Sequence, residues 1–221
     1  MEDVLVKKWE MLNQLIESGL VAVIRRPKPE YIEHIVDALV SGGVGALEIT
    51  VDTTDAYHFI QKIKRKFGHL ALVGAGTVLD EQTAKVAIDA DADFIFSPVF
   101  DVKTVQLTNR YGKISIPGVM TPTEIVQAYQ AGADIIKVFP ASALGVNYFR
   151  ELRGPLGHIP MMPTGGVNLE NVGDYIRNGA VAVGVGGNLL DKEAIEQGRY
   201  DVLFQTAQEF AGAIRKAKNS L

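Results

Sequence analysis

An alternation repeated along the whole chain constrains the fold more than any single motif. Eight short, nearly continuous apolar runs lie at residues 20–24, 46–51, 70–75, 94–99, 114–119, 134–139, 159–163 and 181–185, and longer segments separate them. Strands covered on both faces read as unbroken runs rich in Val, Ile and Phe, which points to a parallel sheet. Several of the intervening segments carry helical periodicity. Residues 29–41 place Tyr31, Ile32, Ile35, Val36, Leu39 and Val40 on one stripe, and Gly42-Gly43 stops it. Asp80 and Asp101 are placed to cap helices reaching residues 91 and 109. Thr121-Pro122-Thr123-Glu124 combines a Thr cap, a Pro at the first helical position and a Glu at the third, opening a helix that ends near residues 131–132. Asn168 is expected to start a helix ending at residues 178–179, and a last amphipathic helix spans 202–218. About eight strand–helix units favour an α/β fold consisting of a single (β/α)8 TIM barrel over an open, doubly wound sheet. One domain over residues 1–221 is expected, with an extra N-terminal helix at 1–18, a barrel core at 20–200 and the C-terminal helix at 202–218.

Composition removes several function classes. With 22 Lys and Arg against 26 Asp and Glu, the net charge of −4 argues against nucleic acid as a main partner. The absence of cysteine excludes disulfides, zinc ribbons and thiol nucleophiles together. No apolar run approaches the roughly 18 residues of a membrane span. The first 18 residues mix Glu2, Asp3, Lys7, Lys8 and Glu10 with spaced apolar residues, unlike a signal peptide, so a soluble cytoplasmic protein without membrane partners is expected. His34, His58, His69 and His158 show no metal-ligand spacing, and neither a metal nor a cofactor is expected. Gly74-Ala-Gly76 lacks the third glycine of a dinucleotide fingerprint, no phosphate-binding GxxxxGK[ST] loop is present, and Ser97-Pro98 has no evident His partner.

Two ionisable residues interrupt the apolar runs. Lys137 stands in Asp134-Ile-Ile-Lys-Val-Phe-Pro140, on the strand face shared by Ile135 and Phe139. Desolvation there should lower its pKa and make available the neutral amine that attacks a ketone. Glu48, in Ala46-Leu-Glu-Ile-Thr-Val51, is the matching anomaly, suited to proton transfer. The competing reading of both is a structural ion pair. Arg25 ends the first strand and Thr77 the third, at the expected mouth, where an arginine fork suits a carboxylate or phosphate. Arg26 and Lys28 follow, so a solvated basic turn is the rival account. Thr164-Gly165-Gly166 and Gly186-Gly187-Asn188 come after the seventh and eighth strands, where barrels commonly hold phosphate with backbone amides; the alternative is that these glycines only turn the chain.

The ordered set Glu48-Ile-Thr50, Gly74-Ala-Gly-Thr-Val78, Ser97-Pro98, Ile116-Pro-Gly118, Lys137-Val-Phe-Pro140, Pro163-Thr-Gly-Gly166 and Gly186-Gly187 resembles the 2-keto-3-deoxy-6-phosphogluconate (KDPG) and 4-hydroxy-2-oxoglutarate (KHG) aldolases over residues 20–200. The resemblance implies a metal-free class I aldolase on a TIM barrel, usually a homotrimer, acting on a small keto-acid phosphate. It implies Lys137 as the Schiff-base lysine and Glu48 as the general acid/base. Thr77, with Arg25, Pro98, Phe139 and Thr164, falls at the pyruvyl end, and Gly165, Gly166, Gly186, Gly187 and Asn188 at the phosphate. Two residues depart from the pattern. Asp52 stands where well-known members have a carboxylate-binding arginine, which shifts that task to Thr77, backbone amides and Arg25. Asn188 stands where some members have serine. Both departures keep open a non-phosphorylated or differently configured 2-keto-3-deoxy acid as substrate. A phosphosugar isomerase or epimerase using Glu48 as base, and a non-catalytic sugar-phosphate-binding barrel, are the more distant alternatives.

Overall fold

The computed structural model describes residues 2–220, with side chains from residue 6 onward. Helix α1 (Glu2–Ser18) precedes strand β1 (Leu20–Ile24), and a 3-10 turn at Pro29–Tyr31 leads into α2 (Ile32–Ser41). The chain continues through β2 (Ala46–Thr50), α3 (Ala56–Phe67), β3 (Leu72–Gly76), α4 (Glu81–Asp89), β4 (Phe94–Phe96), α5 (Val102–Arg110) and β5 (Ile114–Ile116). Then come β6 (Gly118–Val119), α6 (Pro122–Gln130), β7 (Ile136–Val138), α7 (Ala141–Leu156), β8 (Met161–Pro163) and α8 (Val172–Arg177). The last elements are β9 (Val183–Val185), α9 (Lys192–Glu196) and α10 (Tyr200–Lys218).

All named strand pairs are parallel. One sheet runs β5-β4-β3-β2-β1-β9 and the other β6-β7-β8, and together they curl around a shared interior. Discrete contacts join the sheets at both margins. On one side are parallel bridges of Met161 with Ala180 and Thr164 with Gly184. On the other, the Ile135 and Lys137 amides donate to the Ser115 and Pro117 carbonyls, at 3.4 and 2.9 Å.

The eight apolar runs become nine strands because the run at 114–119 breaks at Pro117, which has no N–H to give a ladder. Other runs are trimmed, most of all 94–99 and 134–139, of which only Phe94–Phe96 and Ile136–Val138 are strand. The expected helix at Asn168 starts instead at Val172: the Asn168 side chain accepts from the Glu170 and Asn171 amides and closes a turn ahead of it. The capping box of α6 forms as the sequence implies. Thr121 Oγ1 accepts from the Glu124 amide, and Glu124 Oε2 accepts from the Thr121 amide at 2.8 Å.

Alternation along the strands sorts side chains into two cores. Ala22, Leu47, Ile49, Ile95, Ile136, Val138 and Val183 point outward into the layer shared with the helices. Val21, Ala46, Leu72, Phe94, Phe96, Ile114, Ile116, Ile135 and Met162 point inward, and Met11 and Leu15 of α1 pack against them as a floor. A 2.9 Å ion pair between Lys8 and Asp134 pins that helix in place. Among the described residues, no helix is long and apolar enough to cross a membrane.

Candidate active site

Lys137 and Glu48 point inward at the end of the interior opposite α1. Their strands deliver them by the same alternation that buries Ile135 and Ala46 one step lower. Lys137 is 5% exposed and Glu48 1%. Both line a cavity of about 470 Å³, with Val23, Arg25, Phe139, Thr164, Gly165 and Gly166. Gly186, Gly187 and Asn188 complete its rim. The Lys137 amine lies 4.1 Å from the centre of the Phe96 ring and 4.6 Å from that of Phe139.

This setting moves both groups toward neutrality. Burial lowers the Lys137 pKa to about 8, partly offset by the Glu48 carboxylate, while the Arg25 charge pushes the same way as burial. Burial raises the Glu48 pKa to about 7 against the pull of Lys137 and Arg25, with Asp52 adding a small upward push. Glu48 Oε2 and Thr164 Oγ1 are buried and have no hydrogen-bond partner among the described residues. Unpartnered buried polar atoms are costly and therefore uncommon, and two of them here line one cavity. Two ionisable groups held toward neutrality in one cavity are each suited to taking or giving a proton near neutral pH.

Space for these groups comes from glycines in the strands. Gly74 and Gly76 lie within β3 and Gly184 within β9, not beyond the strands. A Cβ at Gly76 would fall on the Glu48 carboxylate, and one at Gly184 on the Thr164 hydroxyl. The absent side chains make room for Glu48 and Thr164. Nothing in the local sequence shows this, because strand pairing brings each glycine beside its neighbour.

Not every candidate residue lines the cavity. Thr77 sits in the left-handed region at φ 59°, rare and strained for a β-branched residue, and its hydroxyl accepts from Arg25 Nη2 at 3.1 Å. Pro98 lies in an adjoining depression that shares Phe139 with the main cavity. At the rim, the Asn188 Nδ2 donates to the Val167 carbonyl at 2.8 Å, so its amide ties the two glycine loops together. Gly165 and Gly166 adopt φ of 90° and 79°, which only glycine takes without strain. A larger cavity of about 560 Å³ opens on the other side of Arg25, between β1, α2 and α9, away from Lys137 and Glu48.

Comparison with known proteins settles the family. The family model described as KDPG and KHG aldolase matches residues 11–206. The chain belongs to that family. Its relatives include the 2-dehydro-3-deoxy-phosphogluconate aldolase of Dickeya dadantii, 34% identical, with 94% of this chain and 99% of the relative covered. A probable 2-dehydro-3-deoxy-6-phosphogalactonate aldolase of Rhizobium meliloti is also 34% identical, over 79% and 82% of the two chains. Among solved structures, a native KDPGal structure superposes with a TM-score of 0.84 at 30% identity, covering 90% of this chain and 96% of that one. The KDPG aldolase of Legionella pneumophila, with pyruvate captured as a covalent carbinolamine, gives 0.82 at 25% identity, covering 90% and 98%. The chain is thus an aldolase, of the lyase class. In this aldolase the buried amine and carboxylate line one cavity at the end of the strands, where active sites of such α/β folds are found.

Proposed function

We propose that the strands close into a full (β/α)8 barrel forming a single domain, with α1 as an added N-terminal helix. In its mouth the aldolase cleaves 2-keto-3-deoxy-6-phosphogluconate to pyruvate and glyceraldehyde 3-phosphate, and KHG to pyruvate and glyoxylate. Neutral Lys137 attacks the C2 ketone and gives a carbinolamine, which loses water to form a protonated imine. The imine accepts the electron pair of the breaking C3–C4 bond. Glu48 takes the C4 hydroxyl proton as the aldehyde departs, and the enamine is then protonated at C3 and hydrolysed to pyruvate. Arg25 and Thr77 receive the pyruvyl carboxylate, with Pro98 and Phe139 walling that end and the Thr164 hydroxyl directed at the substrate. The loops at Gly165-Gly166 and Gly186-Gly187 hold the phosphate by backbone amides, and Asn188 acts by fixing those loops. The observation that carries this reading is the inward pair of Lys137 and Glu48, both shifted toward neutrality by burial in one cavity.

The protein is read as a cytoplasmic homotrimer. Leu79, Val86, Val99, Val102 and Met120 leave apolar surface exposed, and a cage designed by fusing symmetric oligomeric domains is 30% identical to this chain over 91% of its length. Borohydride reduction with pyruvate, followed by peptide mapping, tests the chemistry. The adduct is expected on Lys137 and absent from Lys137→Ala; equal trapping in that variant refutes the assignment. A second reading, with preference for the C4 epimer 2-keto-3-deoxy-6-phosphogalactonate, is favoured by the names of two similar proteins. The ratio of kcat/KM for the two epimers decides between them.

A further inference from the structure

Asp52 has no role in the chemistry above, yet it organises the charges at the mouth. Its Oδ2 accepts from Arg26 Nε at 2.9 Å and from Arg25 Nη1 at 3.3 Å, and it lies 2.7 Å from Arg26 Nη2 in an ion pair. The other end of the Arg25 fork, Nη2, reaches the Thr77 hydroxyl. Arg26 is itself anchored. Its backbone is turned to φ 47°, and its amide donates at 3.1 Å to Thr53 Oγ1, which bonds Thr50 Oγ1 at 3.2 Å in the buried turn after β2. The loops after β1, β2 and β3 are therefore joined through one carboxylate and one guanidinium.

We propose that Asp52 is a positioning residue for substrate binding: by neutralising Arg26 and holding one corner of the Arg25 fork, it aims Arg25 at the carboxylate of the keto acid. The proposal rests on the aldolase reading, in which that carboxylate sits at Arg25 and Thr77. Two of the five guanidinium N–H groups of Arg25 are engaged, which leaves donors for a carboxylate to take in a fork. The Arg25 side chain is half exposed and long, so without a tether it would sample many rotamers before binding. Asp52 thus supports through Arg25 the task that an arginine at its own position would do directly. The opposite outcome is equally well defined. If Asp52 chiefly repelled the incoming carboxylate, removing its charge would tighten binding.

The test is steady-state kinetics in the synthesis direction, where the carboxylate and the phosphate arrive on different molecules. Asp52→Asn is expected to raise the pyruvate KM on the order of tenfold, the scale of freeing one long side chain. The KM for glyceraldehyde 3-phosphate and kcat should stay within about twofold, and Asp52→Glu should restore most of the pyruvate affinity. An unchanged or lower pyruvate KM in Asp52→Asn overturns the inference. So does a joint change in both KM values and kcat with a lowered Tm, the mark of a structural role. Borohydride trapping of the wild type with pyruvate is run alongside. Without trapping, the aldolase reading fails and the inference falls with it; with trapping, a negative kinetic result counts against Asp52 alone.

Discussion

Gly76→Ala isolates the steric fit behind Glu48. Gly76 lies outside the left-handed region, so alanine suits its backbone, and the added methyl falls on the Glu48 carboxylate. To reach ordinary contact, the carboxylate must withdraw by on the order of 1–2 Å. Misplacement by about 1 Å costs about 100-fold in rate, and complete loss of a general acid–base group costs about 100- to 10,000-fold. A fall in kcat of about 100- to 1,000-fold is therefore expected, or about 2.7–4 kcal/mol of transition-state stabilisation. Overpacking of about 1–3 kcal/mol should lower the Tm by roughly 2–12 °C in a chain of this size while the fold is retained. The assay is cleavage turnover in single and double variants, with circular dichroism as the control. Because the methyl acts only through Glu48, adding Gly76→Ala to Glu48→Gln should cost less than about threefold more. If Gly76→Ala keeps more than about a third of wild-type turnover, or if the two losses multiply in the double variant, the argument is wrong.

Glu48→Gln removes the negative charge that holds the Lys137 pKa up, so the amine should lose its proton at lower pH than in the wild type. The acid limb of imine formation, followed by borohydride trapping with pyruvate across pH, should move downward; a fixed limb or an upward shift would separate the two groups. Thr164→Val replaces a buried hydroxyl that lacks a partner. It should raise stability by about 1–3 kcal/mol in thermal unfolding and weaken substrate binding by about tenfold in KM. An unchanged KM would mean the hydroxyl does not meet substrate.

Burial and period made much of this legible in the sequence. Residues 20–24 form β1 without adjustment, and Lys137 and Glu48 stood out because a charge inside an apolar run needs a reason. Where a signal is local, as in the Thr121–Glu124 capping box, it carries through to the structure. Helix α3 offers no such signal: Asp55 precedes it in a left-handed conformation and makes no side-chain cap. At the site, the unseen features join residues distant in the chain. Gly76 clears space for Glu48 across a strand pair, Asn188 turns its amide to Val167, and Asp52 gathers two arginines from another loop. Composition and spacing encode what a residue is, and only the pairing register decides what it meets.

The floor supplied by Met11 and Leu15 makes the reaction chamber a blind well. Under the proposed chemistry, whatever enters through the mouth leaves by it, and the pyruvyl half stays bonded to Lys137 until hydrolysis. The aldehyde carries no bond to the protein in that scheme, so the products would leave in order: aldehyde first, pyruvate last. Hydrolytic water follows by the same route once the aldehyde has gone. A passage through the far end would let water reach the enamine early, whereas a closed base lets one doorway schedule both departures.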